Sequence, residues 1–100
     1  MARVGSVVLV GSMVIFGGCA HALPDADSPG AQLYAARCGT CHEPHDPRSL
    51  TAAMWDVQVG RMQETMRRRG ARPLDDQERS LVLDYLRRHA TDAGAPAAVR

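Results

Sequence analysis

The stretch that decides the fold runs Arg37-Cys38-Gly39-Thr40-Cys41-His42-Glu43-Pro44. Within it Cys38, Cys41 and His42 form a C-x-x-C-H pentapeptide, the spacing at which a c-type haem is attached. Two thiols three residues apart reach the two vinyl groups of one porphyrin and close two thioether bonds. The histidine that follows is delivered beneath the iron, where its imidazole coordinates. Covalent attachment also keeps the group in a domain too small to wrap it fully. Two other uses of a cysteine pair compete with this one. A thiol–disulfide couple wants a βαβ setting, and no strand is legible here. A zinc site from Cys38, Cys41 and a histidine lacks the second half of an ordinary ligand set, and His45 completes it only with crowding.

Outward from the pentapeptide the sequence reads as three helices. Ser28 followed by Pro29 is an N-cap with a residue suited to the first turn. A helix from Pro29 to Arg37 puts Gly30, Tyr34 and Cys38 on one face. A second helix starts from Ser49 or Thr51 and runs to Gly70, a left-handed terminator after Arg67-Arg68-Arg69. Its apolar stripe is Trp55, Val59, Met62 and Met66, with Asp56, Arg61, Glu64 and Arg68 opposite. A third helix opens on Asp75 with Glu78 three residues later, a capping box, and presents Leu81, Val82, Tyr85, Leu86 and His89. The expected fold class is all-α. Three short helices with few large apolar residues bury little by themselves, so a covalently held group should fill the middle.

Composition narrows the function. The 100 residues include 12 basic side chains, all arginine, and 11 acidic ones; only Arg3 precedes Cys19, which leaves the remainder balanced. A nucleic-acid binder needs a basic excess to displace counterions, so that class is set aside.

The arrangement of Gly30, Tyr34, Cys38, Cys41 and His42 resembles class I cytochrome c, in which a glycine and an aromatic on the first helix precede the haem site. Residues 81–86, Leu-Val-Leu-Asp-Tyr-Leu, resemble the last helix of that family, which crosses the first helix near the glycine. From Cys38 to Met62 the chain is similar to short single-haem bacterial cytochrome c domains, through Pro44, Pro47, Leu50-Thr51, Trp55, Val59 and Arg61-Met62. The resemblance implies three main helices wrapped around one covalently attached haem c. It implies His42 as proximal iron ligand and Met62, which follows the arginine, as distal ligand. Met66, one turn later, is the rival, and Met54, a histidine or an open site stay as further alternatives. A carbonyl of Pro44 or Pro47 is expected to orient the imidazole of His42. Trp55 is expected to pack against the haem edge, Arg61 to pair with a propionate, and the triplet 67–69 to be a solvated helix end. His45 is read as exposed and His89 as structural.

The amino terminus reads as a targeting segment. No charge occurs from Val4 to Ala20, and Arg3 precedes an apolar block of Val7–Val10 and Val14–Phe16. Phe16-Gly17-Gly18-Cys19 resembles the bacterial lipoprotein signal, which makes Cys19 the acylated residue and accounts for the third, unpaired cysteine. A cleaved leader with an incidental cysteine and a retained single span are the alternatives. The expected organisation is a signal peptide over 1–18, a flexible tether over 19–28 broken by Pro24, a haem domain over 29–90 and a disordered tail over 91–100. Ala20, where the resembling inner-membrane retention signal has Asp, favours the outer membrane.

The function that follows is a membrane-tethered periplasmic electron carrier, exported, lipid-anchored and serving redox partner proteins, with no small-molecule substrate. No acid, base or nucleophile is arranged around a substrate pocket, so an enzyme is not expected. A five-coordinate haem sensor or peroxidase-like protein, and a haem subunit of a larger oxidoreductase, are the alternatives.

Overall fold

Each helix begins where a side chain can satisfy its orphan N–H groups. In the computed structural model, which describes residues 22–94, the order is α1 (Pro29–Cys38), a 3₁₀ turn (Pro47–Ser49), α2 (Ala52–Arg68) and α3 (Asp76–Arg88). Ser28 Oγ accepts from Ala31 N–H at 3.2 Å and Pro29 occupies the first turn of α1. Of the two expected starts for α2, Thr51 is the cap, its hydroxyl accepting from Met54 N–H at 3.2 Å. Ser49 belongs instead to the 3₁₀ turn, whose cap is the Asp46 carboxylate accepting from Arg48 N–H. The capping box of α3 forms as expected, with Glu78 N–H donating to Asp75 at 2.8 Å and Asp75 N–H to Glu78 at 3.1 Å.

Gly70, at φ +71°, ends α2. Ala71 N–H donates to Met66 C=O at 2.9 Å and Gly70 N–H to Arg67 C=O at 3.2 Å, the double closure of a Schellman motif. Only glycine takes that backbone conformation without steric cost.

α3 packs against both α1 and α2. At the first contact a Cβ on Gly30 would lie 2.6 Å from Tyr85 Cβ and 3.3 Å from Leu81 O, so the helices touch through backbone and no larger residue fits. Tyr34 and Tyr85 pack beside the crossing with ring centroids 6.0 Å apart. Because α3 lies between two helices, its buried sector is wider than a single face. Val82, Leu83, Tyr85 and Leu86 are buried. Here the expected stripe needs correction: Leu83 is 7% exposed and joins the core, whereas Leu81 is 38% exposed. The Leu81 carbonyl oxygen is the atom that faces Gly30 of α1.

The expected boundaries shift at both ends. Leu23 packs against the core, and Tyr85 Oη donates to Pro24 C=O at 2.7 Å, so the segment expected to be a free tether docks from Leu23 onward. Beyond residue 90, Thr91 N–H donates to Leu50 C=O at 2.9 Å, and Asp92 accepts from Ala52 N–H at 2.9 Å, serving an orphan donor of α2. The expected signal peptide at 1–18, Cys19 and residues 95–100 lie outside the described residues. Among the described residues no helix is long and apolar enough to cross a membrane.

Candidate cofactor site

Cys38 is the last residue of α1, and the chain turns sharply through Gly39–His42 before running back across the core. Two buried aromatics hold that return. Tyr34 Oη donates to His45 C=O at 2.7 Å and Trp55 Nε1 donates to Pro47 C=O at 2.8 Å. Tyr34 and Trp55 themselves meet edge to face, with centroids 6.1 Å apart. The loop bearing His42 is therefore fixed from beneath by residues of α1 and α2.

Between this loop and the carboxyl-terminal half of α2 lies a cavity of about 420 Å³, within the range of about 300–1,000 Å³ common for cofactor sites. Cys38, Cys41 and His42 line it together with Met62 and Met66 of α2, and Arg37, Arg69 and Arg72 stand around it. A narrow crevice shares Cys38, His42 and Met62 and reaches Tyr34, Trp55 and Val59 in the core. The apolar stripe of α2 thus divides. Trp55 and Val59, 2% and 4% exposed, close the core, while Met62 and Met66 stay half-buried on the cavity wall.

The imidazole is already oriented. His42 Nδ1 lies 2.9 Å from Glu43 C=O, and since a carbonyl only accepts, the proton sits on Nδ1 and the Nε2 lone pair is free. The expected acceptor of this bond is a carbonyl of Pro44 or Pro47. The carbonyl of Pro47 is instead engaged by Trp55, and the adjacent Glu43 serves. The His45 ring lies 5.4 Å from that of His42 and is exposed. His89, the C-cap of α3, packs against Tyr85 with tilted rings whose centroids lie 5.0 Å apart.

Both thiols are free. Burial pushes the Cys38 thiol up to about 11, against a smaller opposing effect of Arg37. Thiol–disulfide catalysts need the reverse, a thiol lowered toward neutral pH. Nor do three or more His, Cys, Asp or Glu side chains gather as a metal-ion nest among the described residues. What the residues do fit is a group that offers its own metal and takes two thiols covalently: free sulfurs, a free Nε2 and two thioethers share one largely apolar cavity.

The arginines fall into separate groups. Arg61 is exposed and lines an outer groove of α2 with Leu50, Met54 and Val57, away from the cavity. Arg67 and Arg68 pair with Glu64, as a solvated helix end should. Arg69 departs from its neighbours, with Nη1 3.7 Å from Cys41 Sγ. Arg37 donates to Glu78 and to Arg72 C=O, both at 2.6 Å, and Arg72 donates to Glu78 at 2.8 Å.

Sequence reasoning passed over Gln63. This buried amide clasps the α2–α3 connection, accepting from Leu74 N–H at 2.7 Å and donating to Leu74 C=O at 3.0 Å. The signal was present: Trp55, Val59 and Gln63 recur every four residues, which places Gln63 on the core face and Met62 beside it on the cavity wall.

An all-helical domain with C-x-x-C-H at the end of its first helix and methionines across the cavity is a cytochrome c-type haem domain. The family model described as "Dihaem cytochrome c" matches residues 34–99, and the chain belongs to that family. No curated protein and no solved structure matches it. Membership carries haem c binding and haem-based electron transfer in general. The family description speaks of two haems, whereas this sequence contains one C-x-x-C-H pentapeptide.

Proposed function

We propose that the chain is a one-electron carrier holding a single haem c, with Cys38 and Cys41 as thioether anchors, His42 as proximal ligand and Met62 as distal ligand. The bound haem supplies the ferric/ferrous couple. The observation that carries this reading is the convergence of both thiols, the imidazole and the α2 methionines on one cavity. His42 presents Nε2 because Glu43 C=O holds its other nitrogen, and that second bond makes the imidazole a better donor. Met62 is preferred over Met66 because it lines both the main cavity and the crevice reaching His42, whereas Met66 lines the main cavity alone. A thioether in the distal position favours the ferrous state and raises the potential. Trp55, Val59 and Tyr34 keep water from the inner side of the site. One haem per chain rests on the single pentapeptide.

The carrier is exported and held by acylation of Cys19 on the periplasmic face of a bacterial membrane, the outer one by the identity of Ala20. The support is the apolar leader and the small residues before Cys19. Anchoring raises its effective concentration near membrane-bound redox partners. Labelled palmitate should enter the chain and be lost in Cys19→Ser.

The visible spectrum of the reduced protein, with and without carbon monoxide, tests the ligation. Six-coordinate low-spin iron that resists carbon monoxide is expected. Met62→Ala should bind carbon monoxide and Met66→Ala should not; the opposite split moves the distal ligand to Met66. Rapid binding by the unaltered protein would point to the five-coordinate sensor, and a co-purifying partner to the larger oxidoreductase.

A further inference from the structure

The charge of this domain is unevenly placed. Over residues 22–94 ten arginines face eleven acidic side chains, so the body carries no positive excess. Yet the cavity is lined by three arginines, Arg37, Arg69 and Arg72, and by no carboxylate. Arg67 and Arg68 stand just behind them in the last turn of α2. Among the described residues, the carboxylates paired with these five are Glu64, shared by Arg67 and Arg68, and Glu78, shared by Arg37 and Arg72. Arg69 makes no ion pair with a carboxylate among the described residues; the one hydrogen-bond contact of its guanidinium there is the Cys41 sulfur. The other side of the pentapeptide is opposite in character. A groove of about 450 Å³ there is lined by Glu43 and by Asp46, the latter paired with Arg48 at 2.8 Å.

The dipole of α2 explains only part of this. Cations in the last turn interact favourably with the carbonyl end of a helix, which accounts for Arg67 and Arg68. Arg72 lies beyond that turn, past Gly70, and Arg69 turns toward the cavity. A rim of one sign at the mouth of a cleft attracts the other sign and steers encounter.

On the reading that the cavity holds a haem that exchanges electrons, we propose that the arginine rim is the docking surface for an acidic protein partner, the donor or acceptor of those electrons. Carboxylates of the partner meet Arg67, Arg68, Arg69 and Arg72, and the electron crosses at the Cys41 side of the cavity. Arginine suits the task, because its planar fork holds a carboxylate through two hydrogen bonds.

Small oxidants of opposite charge read the rim directly. Reduced holoprotein is mixed with hexacyanoferrate(III), which takes one electron to become hexacyanoferrate(II), and separately with the cation tris(phenanthroline)cobalt(III), which takes one electron to become cobalt(II). No bond or proton moves in either reaction. Raising salt from about 10 to about 150 mM shortens the screening length from about 30 to about 8 Å. The anion's rate constant should then fall about fivefold and the cation's should rise. Flat or reversed dependences, as expected from the near-neutral body alone, would overturn the proposal. Arg69→Glu and Arg88→Glu change the total charge equally, but only the first should at least halve the anion's salt dependence. Arg68→Glu serves the same purpose if Arg69→Glu does not take up haem. Polyglutamate should slow the anion at low salt and polylysine should not. A flat wild-type dependence with a shifted reduction potential in Arg69→Glu would mean that the arginines serve the carboxylates of the haem itself, and would overturn the docking surface. No oxidation by either reagent would instead defeat the electron-carrier reading on which the proposal rests.

Discussion

The two ends of α1 solve opposite problems. At Gly30 the helix meets α3 so closely that a single methyl group has no room, with Tyr85 Cβ 2.6 Å from where it would sit. Two turns later, at Cys38, the same helix opens onto a cavity of about 420 Å³ lined by thiols, an imidazole and thioethers. One end is completed by residue against residue; the other requires a group that the chain does not encode. In a domain this small that division matters, because the Met62 and Met66 half of the apolar stripe of α2 is only half-buried by the protein.

The largest effect expected at the open end is loss of the group altogether. Cys38→Ala combined with Cys41→Ala should abolish haem that survives denaturing electrophoresis, seen by haem staining. If covalent haem persists, the two sulfurs are not its anchors and the contrast collapses.

Gln63→Leu strikes the joint between the two regions. It leaves Leu74 N–H and C=O buried without their partner, which should cost about 2–4 kcal/mol in chemical denaturation. The connection at 69–75 forms part of the cavity wall, so the reduction potential should move as well. Gly30→Ala, at the closed end, should cost about 1–3 kcal/mol by overpacking against Tyr85 while leaving the visible spectrum unchanged. A spectral change there would show that the two ends are not independent.

The smallest effect is electrostatic. Arg72, the Asp75 N–H and Arg37 hold the Glu78 carboxyl down to about 2, from an ordinary value of 4.5. A depressed carboxylate stabilises the fold above its unfolded value and loses that contribution as pH falls through its folded one. Melting temperatures of the wild type and Glu78→Gln should therefore differ by a constant amount above about pH 5 and converge between about pH 4.5 and about pH 2.

Most helix boundaries were legible in the sequence because caps are local chemistry. Ser28, Thr51, the Asp75/Glu78 pair and Gly70 each act within a few residues of themselves. The pentapeptide was legible for the same reason, since the attachment spacing is contained in five residues. What the sequence concealed depends on partners far along the chain. That Leu83 and not Leu81 faces inward follows from α3 lying between two helices. The turn at Pro47–Ser49 and the engagement of the Pro47 carbonyl follow from Trp55, eight residues on. The docking of Leu23 and Pro24 onto the domain depends on Tyr85, sixty-one residues from Pro24. The rim of Arg37, Arg69 and Arg72 brings the end of α1 to the connection that follows α2, and nothing in the run of Arg67-Arg68-Arg69 distinguishes its last member.

The central claim is that one haem is bonded to Cys38 and Cys41. Intact mass spectrometry of the chain, purified from a host able to mature c-type cytochromes, tests it most directly. A red protein heavier than its polypeptide and any acyl additions by one haem is expected. A colourless product without that addition, or a gain of two haems, would contradict it.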